Sequence, residues 1–445
     1  MSLQSLFSTA RRSLLASQAA TNATGNNIAN AQTPGYTRRS VQLRSLPPTR
    51  GGLVFHGIAS AGGGVGIDSF QRVRSQILDA AVRTGQAGSG GAGESAALLA
   101  TLEGQLAPSG GDALLGAVGQ FYDAWSDVAN APADLGVRDT LLAAGDRLAT
   151  TLRGADERLR AFGRAVETDL GVTVERTNAI LAEVADLNVA IRATQGTDPE
   201  ALDRRDALID EASALAPFTA RPEGDGTVTL TLGGMVAVQG GEARPLRLDA
   251  SGTTPALYAG GGSRPLRLGN YDGALGAQLE LLGTALPDAL GALDDLAAGV
   301  VAGVNGLHIG GTGLDGATDR DFFEPTGTTA RSIGLVPGLT AEAIAAGTEG
   351  PGDASVATAI SELAEARHEA ATRLLADVGA QTRAAKAEAT ASAAYTDHAL
   401  ALRDGVSKVS LDEEMANLIQ YQQSYAASAR VLETAESLFD TLLTL

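Results

Sequence analysis

The chain contains no cysteine, which removes disulfides, thiol nucleophiles and cysteine-ligated zinc together. Aromatic residues make up only 4% of it against a hydrophobic fraction of 44%, so its cores must be aliphatic and rich in alanine. Lysine occurs only at Lys386 and Lys408, and arginine carries nearly all the positive charge. No uninterrupted apolar run approaches the ~18 residues of a membrane span. The opening Met1-Ser2-Leu3-Gln4-Ser5-Leu6-Phe7 lacks the basic and apolar regions of a signal peptide. Neither a cleaved leader nor a membrane partner is expected. A formal charge of −19 speaks against nucleic acid, because phosphate is held by clustered Lys and Arg.

What is present is concentrated at the two ends. In the C-terminal stretch, Leu411, Met415, Leu418, Gln422, Tyr425, Ala429, Leu432, Glu436, Phe439 and Leu443 recur in steps of four and three. This is the seam a helix needs to lie along another helix. Ser410 followed by Glu413 reads as a capping box at its start. Without glycine or proline, the helix would run about 50 Å. Leaving Leu418, Tyr425, Leu432 and Phe439 wet would forgo ~1.5–3 kcal/mol for each large side chain, so the stripe requires a partner.

The N-terminal segment repeats the step with Leu3, Phe7, Ala10, Leu14, Ser17, Thr21, Thr24 and Ile28. The asparagines of Asn26-Asn27-Ile28-Ala29-Asn30 suit a helix end with a left-handed cap. Thr33-Pro34-Gly35-Tyr36 signals a turn, and Thr37 to Leu46 reads as extended. From Met1 to Ile67 there is no acidic residue, whereas Arg11, Arg12, Arg38, Arg39, Arg44 and Arg50 are basic. From Val409 onward Asp412, Glu413, Glu414, Glu433, Glu436 and Asp440 face only Arg430. Matching heptads with opposite charge predict that the two ends pair.

Between the ends, 445 residues leave room for about three domains in all. A helical pattern is expected from Asp68 through Phe70, Val73, Ile77 and Val82, weakened by glycines from Gly85 to Gly93. Leu114 to Val128 carries Phe121, Tyr122 and Trp125 as bundle core. Leu135 to Thr194 is the longest helical run, and Asp198-Pro199 restarts a helix with an N-cap and a first-turn proline. After Pro217 the period changes to two: Thr227 to Leu232, Gly233-Gly234, Met235 to Val238, then shorter runs at Arg244 to Leu248 and Arg264 to Leu268. That is a small antiparallel module. Helical spacing returns from Leu275 to Leu307 and, after a Gly-rich connection, from Ser355 to about Leu402. The expected fold is mainly α with a small β insertion. It comprises a terminal coiled-coil unit (1–45 with 405–445), which the family resemblance given below implies is the polymerisation domain, a discontinuous helical bundle (46–216 with 271–404, including a connection at 310–354) and an innermost β module (217–270).

Catalytic constellations are not evident. His56, His308, His368 and His398 lack metal-ligand spacing, no Gly-x-Ser-x-Gly elbow occurs, and neither lysine follows a phosphate-loop frame. Gly62 to Gly66 lacks the dinucleotide spacing and reads as a flexible turn. The loop from Asp315 to Asp321 lacks the sixth-position glycine and the terminal glutamate of a calcium loop. Asp203-Arg204-Arg205-Asp206 is expected to form surface or intersubunit ion pairs. No enzyme activity, cofactor or metal is anticipated.

Asn26 to Asn30 with Thr33-Pro34-Gly35-Tyr36, and Ser410-Leu411-Asp412-Glu413-Glu414 with Leu418 to Leu432 and Phe439 to Leu443, resemble the paired terminal signatures of the bacterial flagellar axial proteins. Rod and hook members are mostly β between those ends. The helical flanks here, with Leu202 to Leu215 and Phe322-Phe323, are similar to the FlgK-type hook-associated protein 1 family. That family implies a structural role at the hook–filament junction, as platform for filament assembly, by self-assembly into a ring. Its neighbours would be hook protein on one side and the next hook-associated protein on the other. It further implies localisation in the flagellum after passage through the type III export apparatus, with a cytoplasmic export chaperone on the C-terminal helix. The assembly interface would comprise Leu3, Phe7, Leu14, Ile28, Asn30, Tyr36, Leu411, Leu418, Tyr425, Leu432, Phe439 and Leu443. After Phe323 the chain departs from the family: larger relatives carry a further outer domain there. A hook or rod protein, or a non-flagellar cytoplasmic coiled-coil scaffold, are the alternatives the sequence leaves open.

Overall fold

A computed structural model describes residues 3–47, 63–108, 112–252 and 254–443, with the side chains of residues 3, 4, 112, 442 and 443 left out of the description. His56, Arg50 and Gly62 lie outside it, as do the side chains of Leu3 and Leu443.

Helix α1 (Leu3–Ala29) leads into a hairpin of β1 (Arg39–Ser45) and β2 (Val65–Arg72). The chain then builds α2 (Gln76–Leu106), α3 (Asp112–Asn130), α4 (Leu135–Ala193) and α5 (Pro199–Leu215). At 59 residues, α4 spans roughly 90 Å and forms the axis of the bundle. Its start is capped by Asp134, which accepts from the Gly136 and Val137 amides. Asp198 does the same for α5 through the Glu200 and Ala201 amides, with Pro199 just inside, as its sequence predicts.

The region beginning at Asp68 is not helical at its start. Val65–Arg72 is a strand, and Phe70 lies exposed on it; the helix starts at Gln76. Cross-strand pairing with β1 overrides the helical spacing of Phe70, Val73 and Ile77. The glycines from Gly85 to Gly93 do not interrupt α2 either. At two of them neighbouring backbone comes close: a Cβ at Gly90 would stand 2.3 Å from the Ala214 carbonyl oxygen, and one at Gly91 2.7 Å from Tyr271 backbone. Tertiary packing compensates the poor helix propensity of these positions.

The β module is a four-stranded antiparallel meander of β3 (Thr219–Pro222), β4 (Val228–Leu232), β5 (Met235–Gln239) and β6 (Glu242–Ala243), followed by a separate pair, β7 (Leu246–Asp249) with β8 (Ala256–Ala259). Arg264 to Leu268 forms no strand, although the Leu266 amide donates to the Leu257 carbonyl. Two asparagines of α4 hold the module. Asn188 bonds both Val228 backbone groups and the Gly240 carbonyl, while Asn178 bonds both backbone groups of Leu246.

Helix returns as α6 (Gly273–Glu280), a wide turn at Leu281–Ala285, and α7 (Leu286–His308). In the wide turn the Leu286 amide reaches back to the Leu281 carbonyl. This accommodates Pro287, which cannot donate. By length and composition the stretch Gly273–His308 could cross a membrane. In the fold Leu275, Leu281, Leu293, Leu296, Val300 and Val304 are buried among the other helices.

The Gly-rich connection that follows is packed rather than extended. Asn305 accepts from the Phe322 and Phe323 amides and donates to the Phe323 carbonyl. This seats both rings against Phe121, and Phe322 also against Trp125, with centroids 5.3–5.8 Å apart. Arg138, fully buried on α4, donates to the carbonyls of Pro132, Ala341 and Ile344. The last helical run is divided: α8 (Ser355–Ser361), then α9 (Ala364–Ser407), then α10 (Leu411–Leu443). α9 returns along α2 and α10 along α1, so each end of the chain is closed by the other.

Candidate assembly interface

The two terminal helices pair, but along a line rotated from the expected one. On α1 the buried residues are Ala10, Ala16, Ser17, Ala20, Ala23, Thr24 and Asn27. On α10, Glu414 and Ala435 are buried, with Tyr421 and Ser428 half-buried on the heptad line between them. Ser13 and Ser428 share a 2.7 Å hydrogen bond across the seam. Ala10, Ser17 and Thr24 belong to both the expected and the observed line. Phe7 is exposed instead, and Leu14, Thr21 and Ile28 are half-buried. The seam inside the chain selects small residues, because they let the two backbones approach closely.

The large residues are therefore left on the outside. Leu418 and Leu432 flank the seam half-buried, whereas Leu411, Tyr425 and Phe439 are exposed, Phe439 at 55%. Met415 and Ile419 stand beyond them at 57% and 53%. Each half-exposed side chain of this size retains on the order of 1 kcal/mol of unrealised burial. Of the other expected interface positions, Asn30 and Tyr36 are half-buried. Tyr36 turns inward, its hydroxyl donating to Asn27 Oδ1 at 2.9 Å.

Asn27 is the polar node beneath this surface. Its Nδ2 donates to Glu414 Oε2 (2.9 Å) and to the Arg39 carbonyl (2.9 Å). Its Oδ1 accepts from the Arg39 amide (3.0 Å) as well as from Tyr36. All four bonds an amide side chain can make are filled. Arg38 completes the node with Nε on Glu414 at 2.8 Å and Nη1 near Glu413 at 3.2 Å. The opposed charges of the two ends thus meet at Arg38. Arg39 instead faces Asp203, Arg12 donates to the Gly63 carbonyl and Arg44 faces Asp68.

Two local expectations change here. The capping box is only half made: the Glu413 amide lies 3.5 Å from Ser410 Oγ, while the Glu413 carboxylate turns to Arg38. No asparagine after α1 is left-handed; the positive φ of +79° falls on Gly35, where a missing Cβ removes the penalty.

Below the node lies a cluster of arginines and aspartates joining the hairpin, α2, α5 and α9. Arg72 bonds Asp203 (2.8 Å) and Asp206 (2.9 Å), Arg74 bonds Asp206 (2.6 Å) and Asp79, and Arg83 bonds Asp210 (2.9 Å). Arg403 of α9 also holds Asp210. Asp203, Arg205 and Asp206 are buried, so they are internal ties rather than the expected surface or intersubunit pairs; only Arg204 remains on the surface, with Glu183. Burial alone would raise the Asp206 carboxyl, but Arg74, Arg72, Arg205 and Arg83 together hold it below its usual range. Its charge is fixed at neutral pH. Removing one partner would strand a buried charge, which costs more than the pair itself contributes.

The sequence shows Asn27 only as part of a helix end, Glu414 only as one of six acids, and Asp203 and Asp206 without their arginine partners. An asparagine at a seam position and an arginine doublet just before a strand were the available signals. Large apolar side chains mark the neighbouring line in the sequence, and the buried line carries the small ones.

Among known families, "Flagellar hook-associated protein FlgK helical domain" matches residues 99–323. The ends match separately: "Flagella basal body rod protein" over 7–37 and "Flagellar basal body rod FlgEFG protein C-terminal" over 405–445. The chain is 25% identical to flagellar hook-associated protein 1 of Bacillus subtilis, covering 98% of this chain and 97% of that one. It is also 25% identical to flagellar hook-associated protein 1 of Salmonella typhimurium, over 99% and 100% of the two chains. That second alignment is 559 positions long against 445 residues here, so the relative has a stretch without counterpart in this chain. Among solved structures, the flagellar hook junction protein FlgK from Burkholderia pseudomallei shares the fold with a TM-score of 0.50 and 24% identity, over 56% of this chain and 46% of that one.

Proposed function

Since this chain belongs to the flagellar hook-associated protein FlgK family, we propose that it is a structural subunit joining hook to filament and offering the platform on which the filament grows. The observation that carries the assembly part of this reading is the division of side chains on the terminal helices. Small residues close the α1–α10 seam within one chain, and Leu411, Met415, Ile419, Tyr425 and Phe439 are presented outward. Such a stripe on a monomer is a surface awaiting a protein neighbour. In this reading the neighbours are further copies in a ring, hook protein on one side and the next hook-associated protein on the other.

The same reading divides the chain into a polymerising unit (1–45 with 405–445), a helical bundle (46–216 with 271–404) and the β module (217–270). The hairpin of β1 and β2 pairs across the 45/46 boundary and joins the first two. The protein would travel through the flagellar export apparatus, and a cytoplasmic chaperone would cover the apolar stripe of α10 before export. The buried ion pairs act as ties, and catalysis has no part in the proposal.

The test is electron microscopy of a deletion strain together with an assay of flagellin in the medium. Bare hooks with shed flagellin are expected; missing hooks would reassign the chain to rod or hook, and normal filaments would refute the reading. Phe439→Asp in an otherwise intact chain should leave the bundle folded and abolish incorporation at the hook tip. Wild-type incorporation of that variant would remove the stripe from the interface.

A further inference from the structure

The ion-pair cluster below the node is not neutral. Arg39, Arg72, Arg74, Arg83, Arg205 and Arg403 are joined through shared contacts to four carboxylates, those of Asp79, Asp203, Asp206 and Asp210. None of these side chains is more than 17% exposed. Among the described residues no further carboxylate stands within ion-pair distance of the six arginines. The network therefore holds two positive charges in excess, inside a chain whose formal charge is −19. Charge shielded from water is costly unless it is paired.

The shortage is sharpest around Asp206. Four arginines share its two oxygens, at 2.6 to 3.7 Å. Arg205 receives least. Its Nη2 stands 3.5 Å from Asp206, its Nη1 donates to the Gly226 carbonyl, and its Nε is buried without a partner. Burial, with Arg72 and Arg83 close by, outweighs Asp206 and lowers the pKa of this guanidinium. Arg39 Nε is likewise buried and unpaired.

The excess borders an open space. A cleft of about 700 Å³ lies between β2, α2, α5 and β3, and Arg72, Arg74, Arg83 and Arg205 all line it. Three carboxylates also reach its wall. Asp79 and Asp206 are taken by the arginines, and Asp272 accepts from the Gly269 amide at 2.7 Å. Much of the remaining wall is apolar, from Pro217, Phe218, Ala220 and Pro222.

We propose that this cleft binds an oxyanion, a phosphate or carboxylate group, among Arg72, Arg74, Arg83 and Arg205. Planar guanidinium groups take such oxygens in pairs, and a doubly charged anion cancels the excess. The apolar wall accommodates the carbon skeleton of an organic anion. Arg72 ends the hairpin, Arg83 belongs to α2 and Arg205 to α5, so the bound anion clamps the hairpin to the bundle. The inference concerns the single chain and does not depend on the assembly reading.

The full-length chain is titrated with inorganic phosphate, and separately with succinate, by isothermal titration calorimetry at constant ionic strength in chloride. At about pH 7.5 phosphate carries close to two charges. Saturable binding of one anion per chain is expected. Binding of phosphate alone supports a phosphate-ester ligand, of succinate alone a carboxylate ligand, and of both a site for oxyanions in general. Absence of saturable binding by either overturns the proposal. Thr84 is exposed and lines the cleft, so Thr84→Glu brings a tethered carboxylate to the same arginines. It should weaken binding about ten-fold or more, the worth of a charge-assisted hydrogen bond. It should also raise the unfolding temperature in anion-free buffer, whereas Thr84→Gln should change neither. Arg83→Gln, which leaves Asp210 with Arg403, should weaken binding as well. Affinity in Thr84→Glu equal to that of the wild type places the anion elsewhere and overturns the assignment, whether or not Arg83→Gln folds.

Discussion

Replacing Asn27 by alanine removes four hydrogen bonds at once, those to Glu414, Tyr36 and both backbone groups of Arg39. Tyr36 is half-buried and can recover a bond from water, so its loss is small. Glu414 is 2% exposed and keeps only Arg38, and the Arg39 backbone groups lose a partner they cannot easily replace. With ~1–3 kcal/mol for each buried polar group left unsatisfied, and some relaxation, a cost of about 2–4 kcal/mol follows. That cost falls on the junction between the terminal helices and the bundle, not on the bundle core, which begins at α2. Hydrogen exchange read by mass spectrometry should therefore show α1, the hairpin and the start of α10 exchanging some thirty- to a thousand-fold faster, the exponential of that free energy over RT. Amides of α3 and α4 should be unchanged. Asn27→Asp should be as damaging, because it sets a second carboxylate against Glu414. Unaltered protection in α1 and α10 of the alanine variant would refute the node as the tie between the two ends.

Arg138→Met should lower the denaturation midpoint by the equivalent of about 2–3 kcal/mol, because three carbonyls lose their donor while a buried cation without a carboxylate partner is removed. Proteolysis should open the connection at 310–352 in that variant and not in the wild type; equal resistance would show that Arg138 is not needed to hold the segment. His308 is held neutral: Nδ1–H donates to the Arg320 carbonyl and Nε2 accepts from the Ala345 amide, and burial depresses its pKa below 6.5. The unfolded chain takes up this proton at higher pH than the folded one, so the contribution of His308 to stability is complete above about pH 6.5 and is lost as pH falls below it. His308→Gln should flatten that part of the stability profile between about pH 7 and pH 5; parallel profiles would exclude His308 as its source.

Several elements were legible in the sequence for identifiable reasons. The α5 cap, the Phe121–Trp125 core and the length of α4 rest on local patterns that tertiary contacts reinforce. Pairing of the termini followed from period and charge. Its register did not, because hydrophobicity ranks Leu and Phe above Ala and Ser, and the seam chose the small residues for closeness. The glycine-laden α2 was hidden for a related reason: its helix is made by the neighbours at Ala214 and Tyr271 rather than by its own propensities. The buried Asp203–Arg205–Asp206 group could not be told from a surface run, since its partners Arg72, Arg74 and Arg83 come from a segment more than a hundred residues away.

The glycines of α2 also bear on when the molecule can fold. Each costs about 1 kcal/mol of helix stability relative to alanine, so this segment cannot hold a helix while the chain is still open. Its surfaces arrive in stages, Ala214 and Tyr271 from mid-chain and then α9, where Thr382 donates to the Leu99 carbonyl across 283 positions; the terminal pair closes last, Asn27 finding Glu414 across 387. Loops of that length close slowly. An emerging chain would therefore stay pliable until its final quarter is in hand, and then α2, α9 and the terminal pair would form in one late, cooperative event. A chain built this way stays open by the order of its own contacts.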